Sequence, residues 1–436
     1  MTRPGRPGRG REQPPPDLPP PGREAWTALG PYAKGRLTVR AFGLELPLDV
    51  PADVFSTQRI DEGTLLLLAH LPDAPPRTLL EIGCGYGALG LPVAARFPSC
   101  SALLLDRDLL AVTACDHNAR QLGLASVRTV PGLGYRDVPR SARFDWILCN
   151  VPARIGRPFI GHLLQAGQAL LAPGGELRVV VIRDLEEAVE AEGSARRLEG
   201  LLKVVRGPRH TVYALPHRPS LEVPPLDDDS LYARDETTLK VAPAAGGAAP
   251  AQASGPVALR LSRPHDASED PHHAAGLAVL LDALPRSAPR VAAAFRSSYG
   301  ALPLALRARY PAARVFAQER DLLDAAFARR NALALGLAGE QLEIVEALYP
   351  AAAFERAGPA DLIVGELSSS AGQKTSALEL AQVAAGLAPG GQALVLITAR
   401  QEREWLPAIA PAKAAASALV RRENFTLLRL APIRPP

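Results

Sequence analysis

Apolar and polar positions along this chain follow strand and helix rhythms in strict alternation. From Arg36 two short apolar runs, LTV and LELPL, predict strands, and a polar stretch then leads into the apolar run Thr64–Leu71. The Asp61-Glu62 pair ahead of that run suits a helix start, because acidic groups are stabilised at the positive end of the peptide dipoles. Further strands are predicted at Thr78–Ile82, Ser101–Leu105, Ser126–Val130, Phe144–Cys149 and Glu176–Ile182. Helical spacing falls between them at Gly90–Arg96, Leu109–Leu122 and Arg157–Leu171, and again at Leu185–Glu199. Such alternation builds a parallel sheet covered by helices on both faces. LLKVV and TVYAL on either side of the Gly207-Pro208 turn then predict a closing antiparallel hairpin.

The same pattern returns in the second half. Leu44–Leu124 aligns on Val257–Leu337 at a constant offset of 213 without a gap, and 28 of the 81 positions are identical. That exceeds what a shared richness in Ala and Leu produces, so the chain reads as an internal duplication. Matched positions include Pro51/Pro264, Gly63/Gly276, Tyr86-Gly87/Tyr299-Gly300, Arg107-Asp108/Arg320-Asp321 and Asn118/Asn331. Asp145 and the Pro173-Gly174-Gly175 turn meet Asp361 and Pro389-Gly390-Gly391 at offset 216, and SALVRR with FTLLRL repeats the closing hairpin. Residues 1–22 form a Pro/Gly/Arg tail that buries nothing, 23–215 the first α/β domain, 216–256 a Pro/Ala/Gly-rich linker with one strand at Thr238–Val241, and 257–436 the second domain.

Composition narrows the setting. A formal charge of +4 and a pI near 9.0 permit a nucleic-acid partner without requiring one. The four cysteines, Cys84, Cys100, Cys115 and Cys149, include no C-x-x-C pair and no His at metal-ligand spacing, so they read as free thiols with no metal site. The basic N-terminus lacks the apolar core of a signal peptide, and no apolar run approaches membrane-spanning length. The expectation is a cytoplasmic protein without a membrane partner.

The chemistry is concentrated in TLLEIGCGYGALG, Thr78–Gly90. A strand ends in Glu81, and Gly83, Gly85 and Gly87 then let the backbone turn sharply and approach a ligand before a helix begins. Asp106 ends the next strand, 23 residues after Gly83, where a carboxylate can accept both hydroxyl protons of a ribose. After the fourth strand of the alternation comes NVPARIG, Asn150–Gly156.

Together these residues resemble a class I methyltransferase using S-adenosylmethionine (SAM), over Arg36–Leu215. The resemblance implies two tandem Rossmann-like domains, each a parallel sheet ending in an antiparallel hairpin. It places Glu81 at the SAM amino group, Gly83, Cys84, Gly85 and Gly87 along the methionyl and ribose parts, and Asp106 on the ribose hydroxyls. VPGLGY, Val130–Tyr135, has no carboxylate where the family often meets the adenine amine. NVPA is similar to the N-P-P-F/Y motif of enzymes that methylate planar or amide nitrogens. Asn150 and Pro152 would accordingly grip the target amine, with Val151 and Ala153 replacing a Pro and an aromatic. DVFSTQRIDEGTLLL, Asp53–Leu67, is similar to the same region of duplicated-domain ribosomal RNA guanine-N2 methyltransferases, which implies cofactor or substrate contacts for Phe55, Ser56, Gly63 and Thr64. Those enzymes keep the live copy C-terminal; here it is N-terminal.

In the second copy Glu81, Gly83, Cys84 and Gly85 become Ala294, Arg296, Ser297 and Ser298, Asp106 becomes Glu319, and Asn150-Val-Pro-Ala becomes Glu366-Leu-Ser-Ser. An arginine where backbone must approach the ligand obstructs binding, so the second copy reads as degenerate and noncatalytic. The resemblance thus implies one SAM per chain and a guanine exocyclic amine of ribosomal RNA or the small ribosomal subunit as target. A protein side chain, a small molecule, or a SAM-binding RNA assembly role with little catalysis are the alternatives. Oligomeric state is left open, a monomer being compatible with the pattern.

Overall fold

A computed structural model describes residues 29–219, 221–244, 256–267, 273–409 and 414–432. Two seven-stranded sheets carry the two copies. In the first, strands β3 (Thr78–Ile82), β4 (Ser101–Asp106), β5 (Val127–Pro131), β6 (Phe144–Asn150), β7 (Leu171–Ile182), β8 (Leu202–Arg206) and β9 (His210–Pro216) take the order 5-4-3-6-7-9-8. The second repeats it as 14-13-12-15-16-18-17, using β12 (Val291–Phe295), β13 (Arg314–Glu319), β14 (Leu342–Glu346), β15 (Ala360–Glu366), β16 (Leu387–Thr398), β17 (Ala414–Arg421) and β18 (Phe425–Pro432). In both, the first five strands run parallel and the last two form the antiparallel hairpin expected from the sequence.

The central strands read as nearly unbroken apolar runs because both faces of a parallel sheet are covered. Leu79, Leu80, Leu104, Leu105, Ile147 and Leu148 are all inaccessible to solvent, as are Ala292, Ala293, Ala317, Ile363 and Val364 in the second sheet. Each fully buried Leu or Ile contributes about 1.5–3 kcal/mol. Helices Glu62–Leu68, Gly90–Arg96, Leu109–Gln121 and Arg157–Leu170 lie close to their expected ranges. The helix expected over Leu185–Glu199 is shorter, Glu186–Ala195, because Arg197 and Gly200 turn into positive φ and end it.

Before each sheet stands a two-stranded hairpin, β1 (Ala33–Ala41) with β2 (Leu44–Pro51), and β10 (Ala233–Val241) with β11 (Val257–Pro264). The segment read as a linker therefore contains a nine-residue strand that pairs with the second copy, not a short isolated one. Its alternation of exposed and half-buried positions and its separation from β11 by a long connection hid it from a sequence reading. Asn118 and Asn331 explain their repetition. Asn118 accepts from Asp49 N–H at 2.8 Å and donates to the Asp49 and Tyr86 carbonyls at 2.9 Å. Asn331 does the same with Ser262 and Tyr299. Each clips the hairpin to the glycine turn. The tail 1–22 and the positions Ser268 and Glu269 matching Phe55 and Ser56 lie outside the described residues. Among the described residues, no helix is long and apolar enough to cross a membrane.

Candidate active site

The turn after β3 holds Gly83, Gly85 and Gly87 at φ of +78°, +56° and +96°. A Cβ at Gly83 or Gly85 would meet nothing within 4 Å, whereas one at Gly87 would lie 2.3 Å from Leu91 Cδ1. The first two glycines thus leave open space beside the turn, and the third lets the helix pack. Backbone N–H groups of Gly83 and Cys84 bond the Leu105 carbonyl at 2.8 and 2.9 Å, tying the turn to β4. Cys84 is buried, and its thiol is pushed well up by a hydrogen bond with Cys115 and by burial. It is inert as a nucleophile, since a thiol reacts as its thiolate.

Two carboxyl groups face each other across this turn. Asp106 accepts the Gly85 N–H on one oxygen at 2.8 Å and the Asp108 N–H on the other at 2.9 Å. Burial nevertheless raises its carboxyl to about 6. Glu81 is 2% exposed and its Oε2 has no hydrogen-bond partner. Burial, with the nearby Asp106 adding to it, pushes Glu81 to about 8. A buried carboxyl oxygen left without a partner costs stability, so Glu81 beside the backbone-held Asp106 makes this end of the cavity receptive to a cationic group.

Asn150 ends β6 beside them. Both N–H donors of its carboxamide are committed, to Asp61 Oδ2 at 2.9 Å and to Thr64 Oγ1 at 3.0 Å. Oδ1 is what the amide has left to offer the cavity. Asp61 also caps the helix Glu62–Leu68 by accepting the Thr64 N–H at 3.0 Å, so one carboxylate starts the helix and orients the amide. Sequence reasoning found Asp61 only as a helix-start residue. Its second task, 89 positions from Asn150, left no local signal. An Asp61→Ala chain is expected to lose roughly tenfold in kcat through a rotating amide, plus about 1 kcal/mol of helix capping. Single-turnover kinetics and chemical denaturation measure the two losses separately, and unchanged turnover would remove Asp61 from the site.

The cavity encloses about 780 Å³, and its lining includes all the residues expected from the sequence except Gly63, which packs against Asp61 and His210, and Gly87. Gly87 sits behind the turn, against Leu91 and Cys115, because its Cα faces the helix. Phe55 stands on a loop at the cavity, its ring 71% exposed. Ser56 is held on that loop by its Oγ–H to the Arg59 carbonyl at 2.6 Å, and its own carbonyl accepts Tyr86 OH at 3.1 Å. Thr64 is buried and Pro152 is exposed. The opposite wall comes from the second copy, with Asp266, Arg296 and Arg320 among its residues. There the equivalent side chains are engaged with one another. Arg296 bonds Glu379 at 2.8 Å and Tyr32 OH at 3.0 Å, Glu319 accepts the Ser297 N–H, and Glu366 pairs with His273.

A parallel sheet of this order, closed by an antiparallel hairpin, is the Rossmann-like fold of class I methyltransferases, and it is present twice in this chain. More particularly, residues 45–206 match the family model of the methyltransferase small domain, and the first copy is a domain of that kind. Relatives include the ribosomal RNA small subunit methyltransferase C of Pseudomonas fluorescens, 35% identical over 38% of this chain and 52% of its own length. The ribosomal RNA large subunit methyltransferase G of Pseudoalteromonas atlantica is 31% identical over 36% of this chain and 43% of its own. The chain thus spans about half the length of these curated relatives. The T. thermophilus 16S rRNA N2 methyltransferase, solved with AdoMet and guanosine, superposes with a TM-score of 0.61 at 18% identity, covering 91% of this chain and 98% of that one. This last likeness is one of fold, and it spans both copies.

Proposed function

We propose that this protein is a SAM-dependent N-methyltransferase that modifies a guanine exocyclic amine in ribosomal RNA. The observation that carries the reading is the unpartnered, buried Glu81 Oε2 beside Asp106 in a cavity that the Asn150 carboxamide also lines, with its Oδ1 uncommitted. Glu81 would hold the ammonium group of SAM and Asp106 its ribose hydroxyls, with the space beside Gly83 and Gly85 leaving room for the chain between them. Gly132, Leu133 and Gly134 beside Phe159 and Tyr232 give the cavity an apolar end that suits an adenine. When bound, SAM supplies an electrophilic methyl group.

The chain's own residues then position the nucleophile. Asn150 Oδ1 accepts a hydrogen bond from the target amine, which fixes the direction of the nitrogen lone pair. No strong base is required, because the nitrogen grows more acidic as it gains the methyl and sheds its proton late. Ala153 provides no ring for stacking, but the exposed Phe55 stands at the same cavity and offers an aromatic face to a planar base. That ring favours a nucleobase over a protein side chain as substrate. The curated names of the relatives, all ribosomal RNA methyltransferases in the cases above, support the same substrate class.

Calorimetric titration is expected to give one SAM per chain, since in the second copy an arginine, Arg296, stands where Gly83 stands in the first and is bonded to Asp53 and Glu379. Mass spectrometry of ribosomal RNA from deletion and wild-type cells is expected to show one methylguanine missing in the deletion strain. Two equivalent SAM sites would contradict the degenerate second copy, and identical RNA would contradict the substrate.

A further inference from the structure

The two copies hold one another by a reciprocal pair of clasps built from positions repeated at offset 213. Arg320 donates from Nη1 to Asp53 Oδ2 at 2.8 Å and from Nη2 to the Asp53 carbonyl at 3.0 Å. Its counterpart Arg107 donates from Nη2 to the Asp266 carbonyl at 2.8 Å and to Asp266 Oδ2 at 2.9 Å. Each arginine also reaches the other copy's helix-capping acid, Arg320 to Asp108 at 2.9 Å and Arg107 to Asp321 at 3.2 Å. The backbone follows the same pseudo-twofold, with Leu109 N–H on the Arg320 carbonyl and Leu322 N–H on that of Arg107. Both clasped acids sit at positive φ, +68° for Asp53 and +56° for Asp266. A non-glycine residue there is strained by about 1–3 kcal/mol and persists only where its surroundings over-determine it.

Asp266 gains one further ion pair, to the exposed Arg154 at 3.3 Å, and Asp53 gains three further contacts. Arg296, which replaces Gly83, donates from Nη1 to Asp53 Oδ2 at 3.1 Å, and Ser368, matching Pro152, and Ser370, matching Arg154, bond Asp53 Oδ1. Burial opposes the charge on Asp53, yet Arg320 and Arg296 hold its carboxyl well below the usual carboxylate range. Asp53 is two residues from Phe55 and three from Ser56, which has its own strained φ of +57°. Residues that would serve chemistry in a live copy have thus been rebuilt here into a grip on the live copy's loop.

We propose that the degenerate copy positions the active site: Arg296, Arg320, Ser368 and Ser370 pin Asp53 and so hold the Phe55–Ser56 loop in its strained, binding-ready form. Arg296 is a positioning residue, and its arrival at a former glycine is a gain of function for the pair, not only a loss for its own pocket. The inference rests on the SAM reading above for the identity of the ligand at the loop.

Two full-length variants test it. Asp53→Ala leaves Arg320 paired with Asp108 and Arg296 with Glu379. Arg296→Gly/Glu379→Gln restores the glycine at a φ of +47° and removes the buried acid that would otherwise lose its cation and keep only Tyr32 OH. Each is expected to speed hydrogen exchange of amides 54–57 at least tenfold and to weaken SAM binding about tenfold, with exchange in β3 and β12 unchanged. Wild-type SAM affinity and wild-type exchange of the loop in both variants would overturn the proposal. So would equal acceleration across β3 and β12, which would make the clasp merely a fold contact. If the wild-type chain binds no SAM, the cofactor reading fails, while the exchange comparison still decides the clasp.

Discussion

An Asn150→Ala chain is expected to lose a factor of roughly 10²–10³ in kcat, the magnitude typical of removing one preorganised polar contact from a reacting group. SAM affinity should stay within about threefold of wild type, because Glu81 and Asp106 are held on β3 and β4 and neither hydrogen-bonds Asn150. The fold should survive as well. Asp61 keeps its bond to the Thr64 N–H when the Asn150 amide is gone, so the helix Glu62–Leu68 keeps its cap. Rapid-quench measurement of the methyl-transfer step at saturating SAM, alongside calorimetric titration, separates the two quantities. Full turnover with intact SAM binding would take Asn150 out of the mechanism and leave it as a turn residue.

Replacing Glu81 by Gln is expected to weaken SAM binding by roughly 10–100-fold, since a hydrogen bond to a charged group contributes about 1.5–3 kcal/mol. The pH dependence gives the more specific signature. Without ligand, burial holds the Glu81 carboxyl at about 8, so at neutral pH it is mostly protonated. Binding an ammonium group favours the ionised form, and wild-type affinity should therefore climb from pH 6 towards pH 8. It levels off there because an α-amino group itself loses its proton near 7.7–8.0. The Gln variant should lose most of that rise.

Stability of the ligand-free protein runs the opposite way. A carboxyl whose folded pKa lies above its unfolded value keeps more protons in the native state. Its contribution is complete below the unfolded value of 4.5 and is lost as pH rises through about 8. Ligand-free wild type should thus be less stable at pH 8 than the Glu81→Gln chain, and the difference should shrink towards pH 5. Thermal melts at the two pH values check this. A variant no more stable than wild type at pH 8 would mean that Glu81 already has a partner.

Much of this protein was legible in one dimension. The strand ranges came from runs whose period is set by the sheet itself, and the duplication from identities at a constant offset. Gly83, Gly85, Glu81, Asp106 and Asn150 stood out because a turn after a strand needs positive φ and because acids at strand ends are rare without a use. Two readings needed the third dimension. The strand β10 was masked by its linker-like surroundings, and Asp61 showed only its capping role.

What the sequence determined by itself was the architecture of each copy and the replacement of the glycine turn in the second, because local periodicity and glycine geometry act over a few residues. What only the tertiary structure decided was the relation between the copies. The repeated Arg-Asp pair and the repeated Asp53/Asp266 were visible as identities, but an identity between copies does not say whether the residue serves its own domain or its neighbour's. That depends on which groups lie within hydrogen-bond reach across an interface, 267 positions apart for Asp53 and Arg320. Burial then turns those contacts into a grip, since charges withdrawn from water must find each other or cost several kcal/mol.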